Sequence, residues 1–242
     1  MTRYYFLLIF FLLSCTPEYS EINFIKTDLE SKSPKIIDIV GGSDEDLVKK
    51  VISTKDGGFI IVGNSKSVDG DFKMKNRLGN DIFVTKFSST GQIQWTNFYG
   101  GSDDDVGNDI IESKDGNFYI IGYSKSKDGD ASANNGQHDN WLLKIDSSGN
   151  LLWEKSYGFA GHDHAYNILA TKDGGLFFNG FLDITASNGL GQYSRHGVGE
   201  FWCHKIDKEG NVIWRNYFGG SNNDRSYDAI ETSEGGYILI GA

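Results

Sequence analysis

Apolar and polar residues alternate in short blocks along most of this chain. Between residues 108 and 157, four blocks of six or seven residues carry most of the apolar side chains, and polar segments separate them. Asp115-Gly116 joins the first two blocks, a pair typical of tight β-hairpins because glycine adopts a positive φ without steric cost. The pattern predicts four antiparallel strands, A to D, and no helical periodicity follows residue 21. The strands occupy residues 108–113, 118–123, 140–145 and 151–157.

The same pattern returns at a regular interval. The phrase that joins strand D to the next strand A begins at Val40, Tyr99, Tyr157 and Phe218, at spacings of 59, 58 and 61 residues. A fixed period of this size indicates one supersecondary unit copied around an axis or along a solenoid. The units predict an all-β fold, a β-propeller of four-stranded antiparallel blades with about 60 residues per repeat. The repeats lie near residues 40–98, 99–156, 157–217 and, in part, 218–242.

The sequence does not determine the number of blades. Phe24-Ile25 precedes Phe83-Val84 by 59 residues, which is the spacing of the repeat. The residues before Val40 can therefore supply strands C and D of the last blade. The alternative is a chain that continues beyond Ala242 with more blades, in which case the ring described by this sequence is incomplete.

The repeated phrases have a counterpart in a known class of proteins. Tyr99-Gly100-Gly101-Ser102, Asp56-Gly57-Gly58-Phe59 and Gly149-Asn150 before Trp153 follow the patterns YGGSxxD, DGGYIIxG and GNxxW, with Phe59 in place of the tyrosine of the second pattern. In these phrases the chain resembles the β-propeller-repeat proteins of bacterial surfaces and envelopes. The resemblance covers residues 40–242 and implies the propeller fold. It implies no ligand, because propellers carry many unrelated activities.

The N-terminal segment has the features of an export signal. Arg3 precedes ten apolar residues, 4–13, too few for a membrane-spanning helix and typical of a secretory signal. Leu12-Leu13-Ser14-Cys15 resembles the lipobox of bacterial lipoproteins, which implies cleavage before Cys15 and its acylation. The expected domains are a signal peptide (1–14), a lipidated tether (15–21) and the blades (22–242), held to a membrane of the bacterial envelope, periplasmic or surface-exposed. The alternative is an ordinary signal peptide with a chance cysteine.

The net charge limits the expected partners, and the cysteine content limits the expected disulfides. The chain has 33 acidic and 23 basic residues, a net charge of −10, so nucleic acid is not an expected partner. Cys203 is the only other cysteine, and acylation of Cys15 would leave it unpaired. Its place in a strand C, matching Val84 and Leu142, predicts a small core side chain.

Strand direction decides which face carries the long loops. Because strands alternate in direction, the tight A–B and C–D turns lie on one face and the B–C and D–A loops lie on the other. Loops on a rigid scaffold commonly carry binding residues, so the second face is the expected contact surface. Its predicted ligand-binding core is acidic and consists of Asp103, Asp104, Asp105, Asp128 and Asp130.

Two sets of residues on that face are candidate metal ligands. Carboxylates one residue apart around a glycine can converge on calcium, although the twelve-residue EF-hand spacing is absent and a surface turn is the alternative. These carboxylates are Asp69, Asp71, Asp128 and Asp130. His138, His162 and His164 are candidate zinc ligands, and the alternative is that they are simply solvated loop histidines.

The sequence predicts a binding protein rather than an enzyme. It has no nucleophile elbow, phosphate loop or His-Glu-x-x-His helix. Trp95, Trp153 and Trp214 recur once per repeat, which favours packing between blades over a glycan platform. The expected function is a non-catalytic, envelope-anchored module that binds or scaffolds a protein or glycan partner, with no cofactor except possible calcium. The alternative is a propeller enzyme, a polysaccharide lyase, hydrolase or quinoprotein-like dehydrogenase, with its site on the long-loop face.

Overall fold

The computed structural model of the chain describes residues 40–183 and 199–242. The expected signal peptide, Cys15 and its tether lie outside the described residues. The described part contains fourteen strands. They are β1 (Asp46–Ser53), β2 (Phe59–Ser65), β3 (Asp81–Phe87), β4 (Ile93–Tyr99), β5 (Asp105–Glu112), β6 (Phe118–Ser124), β7 (Asp139–Ile145), β8 (Leu151–Tyr157), β9 (Asp163–Ala170), β10 (Leu176–Asp183), β11 (Gly199–Ile206), β12 (Val212–Phe218), β13 (Ser226–Glu231) and β14 (Tyr237–Gly241).

The strands form three complete blades and the start of a fourth. Each complete blade is a four-stranded antiparallel sheet in chain order, β1 to β4, β5 to β8 and β9 to β12, and β13 pairs with β14. The prediction of an all-β fold with four-stranded antiparallel blades is confirmed. Within the described ranges the helical content is one 3₁₀ turn, Gly70–Phe72, and no helix has the length and apolar character needed to cross a membrane.

The blades pack side by side through their apolar faces. One core joins Ile60 and Ile82 of the first blade to Ile120 and Trp141 of the second. Because middle strands are covered on both faces, β3, β6 and β7 are almost wholly buried, in agreement with a sandwiched strand. Cys203 lies in the core between the third and fourth blades, as expected, and burial raises the pKa of its thiol to about 12.

The first strands of successive blades lie next to one another. Asn108 on β5 donates from Nδ2 to the carbonyl of Ala165 on β9 at 2.8 Å. The carboxylate of Asp109 lies 3.2 Å from Lys50 Nζ on β1 and accepts from Asn167 Nδ2 on β9 at 3.1 Å. This order places strand A of every blade innermost and leaves the loops at the two ends of the strands.

The recurring tryptophans pack between blades. Trp95 donates from Nε1 to the carbonyl of Ser147, in the C–D turn of the next blade, at 3.1 Å. Trp214 of the third blade lies 5.9 Å from the ring of Tyr237 in the fourth. The interpretation of these residues as packing groups is confirmed, and it accounts for their recurrence at one strand position.

Candidate functional site

The aspartate pairs of the B–C loops bind backbone amides of the preceding D–A loop. Asp71 accepts from the N–H of Gly41 at 3.0 Å, and Asp69 accepts from that of Ser43 at 2.8 Å. In the second blade the corresponding pairs are Asp130 with Gly100 at 3.1 Å and Asp128 with Ser102 at 2.7 Å. These bonds give all four carboxylates a role in holding two loops together. Calcium binding by them stays a prediction.

The predicted acidic contact surface is only partly exposed. Asp103 is exposed, and Asp104 is half-buried with an ion pair to Lys125 at 3.4 Å. Asp105, in contrast, is fully buried, because it begins β5 and its Oδ2 accepts from Gly101 N and Ser126 Oγ, both at 2.8 Å. Asp105 therefore does not belong to the surface that a partner could contact, and the sequence could not separate it from its exposed neighbours.

A pair of acids lies close to the first glycine of the second, third and fourth repeated phrases. A Cβ on Gly100 would lie 2.3 Å from Asp81 Oδ1 and 2.5 Å from Asp105 Oδ2. One acid begins strand C of its own blade, and the other begins strand A of the next. The same arrangement recurs at the second junction, where Asp139 and Asp163 lie near Gly158. At the third junction Glu200 and Asp224 lie near Gly219, but Glu200 is the second residue of β11, and Asp224 is half-buried and precedes β13. The repeated glycine is thus required by close approach.

Asp105 is expected to make stability depend on pH. Burial, more than any neighbouring charge, raises the pKa of this carboxyl to about 6 from 3.8. The folded state therefore binds the proton more tightly than the unfolded state. The stabilisation is complete below pH 4 and is lost as the pH rises through 6, by about 3 kcal/mol in total. Urea unfolding of metal-free protein from pH 4 to pH 7 measures it. Asp105→Asn should flatten the profile by this amount, and parallel profiles for the two proteins would contradict the assignment.

Three histidines converge where the second and third blades meet. His138 directly precedes β7, His162 directly precedes β9, and His164 is the second residue of β9. The backbone fixes the first two, because His138 and His162 form an isolated parallel bridge and Asp163 N donates to the His138 carbonyl at 2.8 Å. In addition, the His138 N–H donates to the Gly161 carbonyl at 3.2 Å. The ends of the two sheets therefore hold together His138 and His162, which are 24 residues apart in the chain.

The three imidazoles direct ring nitrogens at one another. His138 Nδ1 lies 2.6 Å from His162 Nδ1 and 2.9 Å from His164 Nε2. One nitrogen of each ring belongs to a group of three atoms that all lie within 4.8 Å of one another. Within ranges 40–183 and 199–242 this is the only cluster of three or more histidine, cysteine or acidic side chains that could hold a metal ion. Tyr123 stacks on His164 with ring centroids 4.1 Å apart and planes inclined by 13°. The sequence prediction named the three histidines, and it missed the tyrosine that orients one of them.

Burial keeps two of the three imidazoles in the form that binds metals. Burial, with a smaller contribution from neighbouring histidines, lowers the pKa of His138 to about 4 and that of His164 to about 3. Near pH 7 both rings are neutral, and a neutral imidazole nitrogen is a metal ligand. Tetrahedral zinc with bonds of 2.0–2.1 Å places ligand nitrogens about 3.3 Å apart. The two separations of 2.6 and 2.9 Å from His138 Nδ1 would each have to lengthen by less than about 1 Å to reach this value.

The histidines break the internal repeat. At the junction of the first and second blades, the corresponding positions are Asn80, Asp104 and Val106. Residues that serve the scaffold recur from blade to blade, as the acid pair and the tryptophans do. A convergent set that occurs at one junction and departs from the repeat indicates a role beyond the scaffold.

The opposite face, with the tight turns, also contains a cavity. It has a volume of about 230 Å³ and lies between the second and third blades, lined by Tyr119, Lys144 and Lys208 among others. Lys144 lies 3.5 Å from Asp115 and 5.1 Å from the centre of the Tyr119 ring. Sequence reasoning gave this face no role, because tight turns show no sign of the space between two blades.

Comparison with known proteins yields little about function. No protein-family model matches the chain, and no curated protein matches it. Among solved structures, the chain is similar to a protein of unknown function from Bacteroides caccae. The similarity has a TM-score of 0.34 and 10% identity, and it covers 74% of this chain and 69% of the other.

Proposed function

We propose that this protein is a metal-binding β-propeller module of the bacterial envelope. His138, His162 and His164 hold one divalent transition-metal ion, with zinc as the best match, at the junction of the second and third blades. The single observation that carries the proposal is the convergence of three ring nitrogens within 4.8 Å. Imidazole ligands suit zinc, copper, nickel and iron, whereas magnesium and calcium prefer oxygen.

The metal site is part of a wider binding surface in this proposal. The lipobox-like Cys15 anchors the chain to a membrane, and the long-loop face, with exposed Asp103 and half-buried Asp104, contacts a protein or glycan partner. Intact mass of the native chain from membranes tests the anchor, since an acylated cysteine adds the mass of its lipids. Asp103→Asn with Asp104→Asn should weaken retention on purified envelope glycan or protein fractions. Equal retention of the double variant and the parent would contradict this contact surface.

A metal-dependent hydrolase is the second candidate. One observation favours it: three protein ligands leave a fourth zinc position for water, as in catalytic sites, whereas structural zinc sites have four protein ligands. A zinc-bound water ionises near neutral pH and can attack a polarised bond. Zinc-dependent release of reducing ends from envelope polysaccharide would favour this candidate. A zinc-loaded protein that binds glycan without cleaving it favours the binding module.

Zinc titration of the full chain tests the central proposal. After removal of metals with a chelator, isothermal calorimetry should show one Zn²⁺ bound per chain, and Ca²⁺ should not compete. His162→Ala removes one of the three ligands and should weaken zinc binding by at least about 10-fold, because the loss exceeds that of an outer-shell partner. His204→Phe, at a buried strand position away from the three ligands, is the matched control. Wild-type chain that binds no zinc would overturn the proposal.

A further inference from the structure

Strand A carries a β-bulge in each of the four sheets, and the bulge lies on the innermost strand. The pairing of strand A with strand B skips one residue each time, and all four skipped residues are exposed or half-buried. They are Lys49, Asn108, Tyr166 and Tyr227. The bulge recurs and belongs to the scaffold, whereas the residue at the bulge changes. Because bulges redirect side chains and are frequent next to binding sites, this position can serve different roles in different blades.

Two of the bulge residues form an aromatic surface between the third and fourth blades. The ring centres of Tyr166 and Tyr227 lie 5.5 Å apart, with the planes inclined by 44°. Tyr227 is 51% exposed, and Tyr166 is half-buried. A tyrosine ring combines an apolar face with a polar hydroxyl, and tyrosine is enriched where proteins contact their partners. An exposed pair of this kind favours a ligand with a flat apolar face and polar edges.

The aromatic surface adjoins the three-histidine cluster. The ring of Tyr166 meets that of His164 edge to face, with centres 6.3 Å apart. The ring of Phe181, on the neighbouring strand β10, lies 6.4 Å from His164. Tyr166 therefore stands between Tyr227 and His164. The two tyrosines extend the candidate metal site towards the fourth blade.

An arginine lies beside the same rings. Arg225 Cζ lies 4.9 Å from the centre of the Phe181 ring, and two backbone hydrogen bonds with Ala242, of 2.7 and 3.0 Å, fix the arginine main chain. Burial raises the pKa of the Tyr166 phenol and Arg225 opposes that rise, as expected of a guanidinium near the hydroxyl.

The guanidinium of Arg225 is available to an anion. Its side chain is exposed, and no ion pair reaches it in the part of the chain that the structure describes. A guanidinium stacked on an aromatic ring is already oriented, and it binds a carboxylate through two parallel hydrogen bonds. Since the chain has a net charge of −10, an anion that binds here must be recognised by such local contacts.

An aromatic pair next to a free guanidinium matches the chemistry of an acidic sugar. The C–H face of a pyranose ring is apolar and packs on aromatic rings, and a uronic acid adds one carboxylate at the edge of the ring. We infer that Tyr166, Tyr227 and Arg225 bind a uronic acid residue of an envelope polysaccharide beside His164. The inference rests on the glycan contact of the proposed function, and it names the sugar class and the side chains that bind it.

Titration of the full, metal-free chain with uronate tetramers tests the role of Arg225. The parent should bind at least one of the galacturonate, glucuronate and mannuronate tetramers. Methyl esterification of that tetramer should weaken binding about 10- to 100-fold, because the ester forms no hydrogen bonds between charged groups. Arg225→Gln should weaken binding of the acid equally and leave binding of the ester unchanged. Arg215→Gln is the matched control, since Arg215 is also exposed and lies 5.0 Å from the centre of the Phe159 ring.

A second pair of variants tests the aromatic surface. Tyr227→Ala removes the more exposed ring and should weaken binding of the uronate tetramer about 10-fold. Tyr227→Phe keeps the ring and should bind like the parent. Both variants should retain the zinc affinity of the parent, because Tyr227 is not one of the three ligands.

The possible failures can be told apart. Equal affinity for the acid and its ester, or parental affinity in both Arg225→Gln and Tyr227→Ala, would overturn the inference. Equal affinity for a glutamate tetramer would overturn the assignment to a sugar and indicate a peptide. A parent chain that is retained on envelope glycan but binds none of the uronates would overturn the inference and leave the proposed function standing. Uronate binding by a chain that binds no zinc would reject the metal site and support the uronate site.

Discussion

Saturation with zinc is expected to stabilise the parent chain and to have no effect on His138→Ala. An ion that binds only the folded state raises the free energy of unfolding by about 4 kcal/mol when its free concentration is 1,000 times the dissociation constant. His138 is the residue whose loss matters most, because its Nδ1 lies within 2.9 Å of a ring nitrogen of both other histidines. Urea unfolding with and without Zn²⁺ measures the difference.

The metal-free forms of the two proteins provide the control. Since His138 is only half-buried and its proposed role is to hold the ion, His138→Ala without metal should unfold close to the metal-free parent. A zinc-dependent gain of equal size in parent and variant would place the ion elsewhere. Chelator added to the zinc-loaded parent should return its unfolding curve to that of the metal-free protein.

Gly136→Ala is expected to disrupt the metal site without changing a ligand. A Cβ at this position would lie 2.2 Å from the carbonyl oxygen of Phe159 and 2.6 Å from the carbonyl carbon of Ala160. Both are backbone atoms, so the B–C loop of the second blade must move away from the loop that carries His162. A displacement of reacting groups by about 1 Å can lower the rate of an enzyme about 100-fold, and we expect zinc affinity to fall on the same scale.

Gly220→Ala is the matched control for that substitution. A Cβ on Gly220 would meet only Asp224 Oδ2, at 3.8 Å, which is an ordinary contact. Zinc affinity of Gly220→Ala should equal that of the parent. If Gly136→Ala also retains full affinity, the close approach of these two loops does not position the histidines.

The sequence was a good guide to strands and a poor guide to burial at loop ends. Alternating blocks and Asp-Gly turns placed every strand of the second blade within a few residues, because each strand has its own local pattern. Asp103, Asp104 and Asp105 look alike in sequence, yet the third is buried and binds Gly101. The difference depends on where β5 begins and on the neighbouring blade, and neither is visible in a run of three aspartates.

The sequence by itself determined the repeat, the all-β blades and the identity of the three candidate histidines. These features depend on local periodicity, turn residues and side-chain chemistry, which the order of residues contains. Only the tertiary structure decided that His138 meets His162 and His164, because a parallel bridge between the ends of two blades joins them. It also decided that Asp105 is buried while Asp103 stays exposed. Convergence and burial are properties of neighbours in space, and the packing of one blade against the next determines those neighbours.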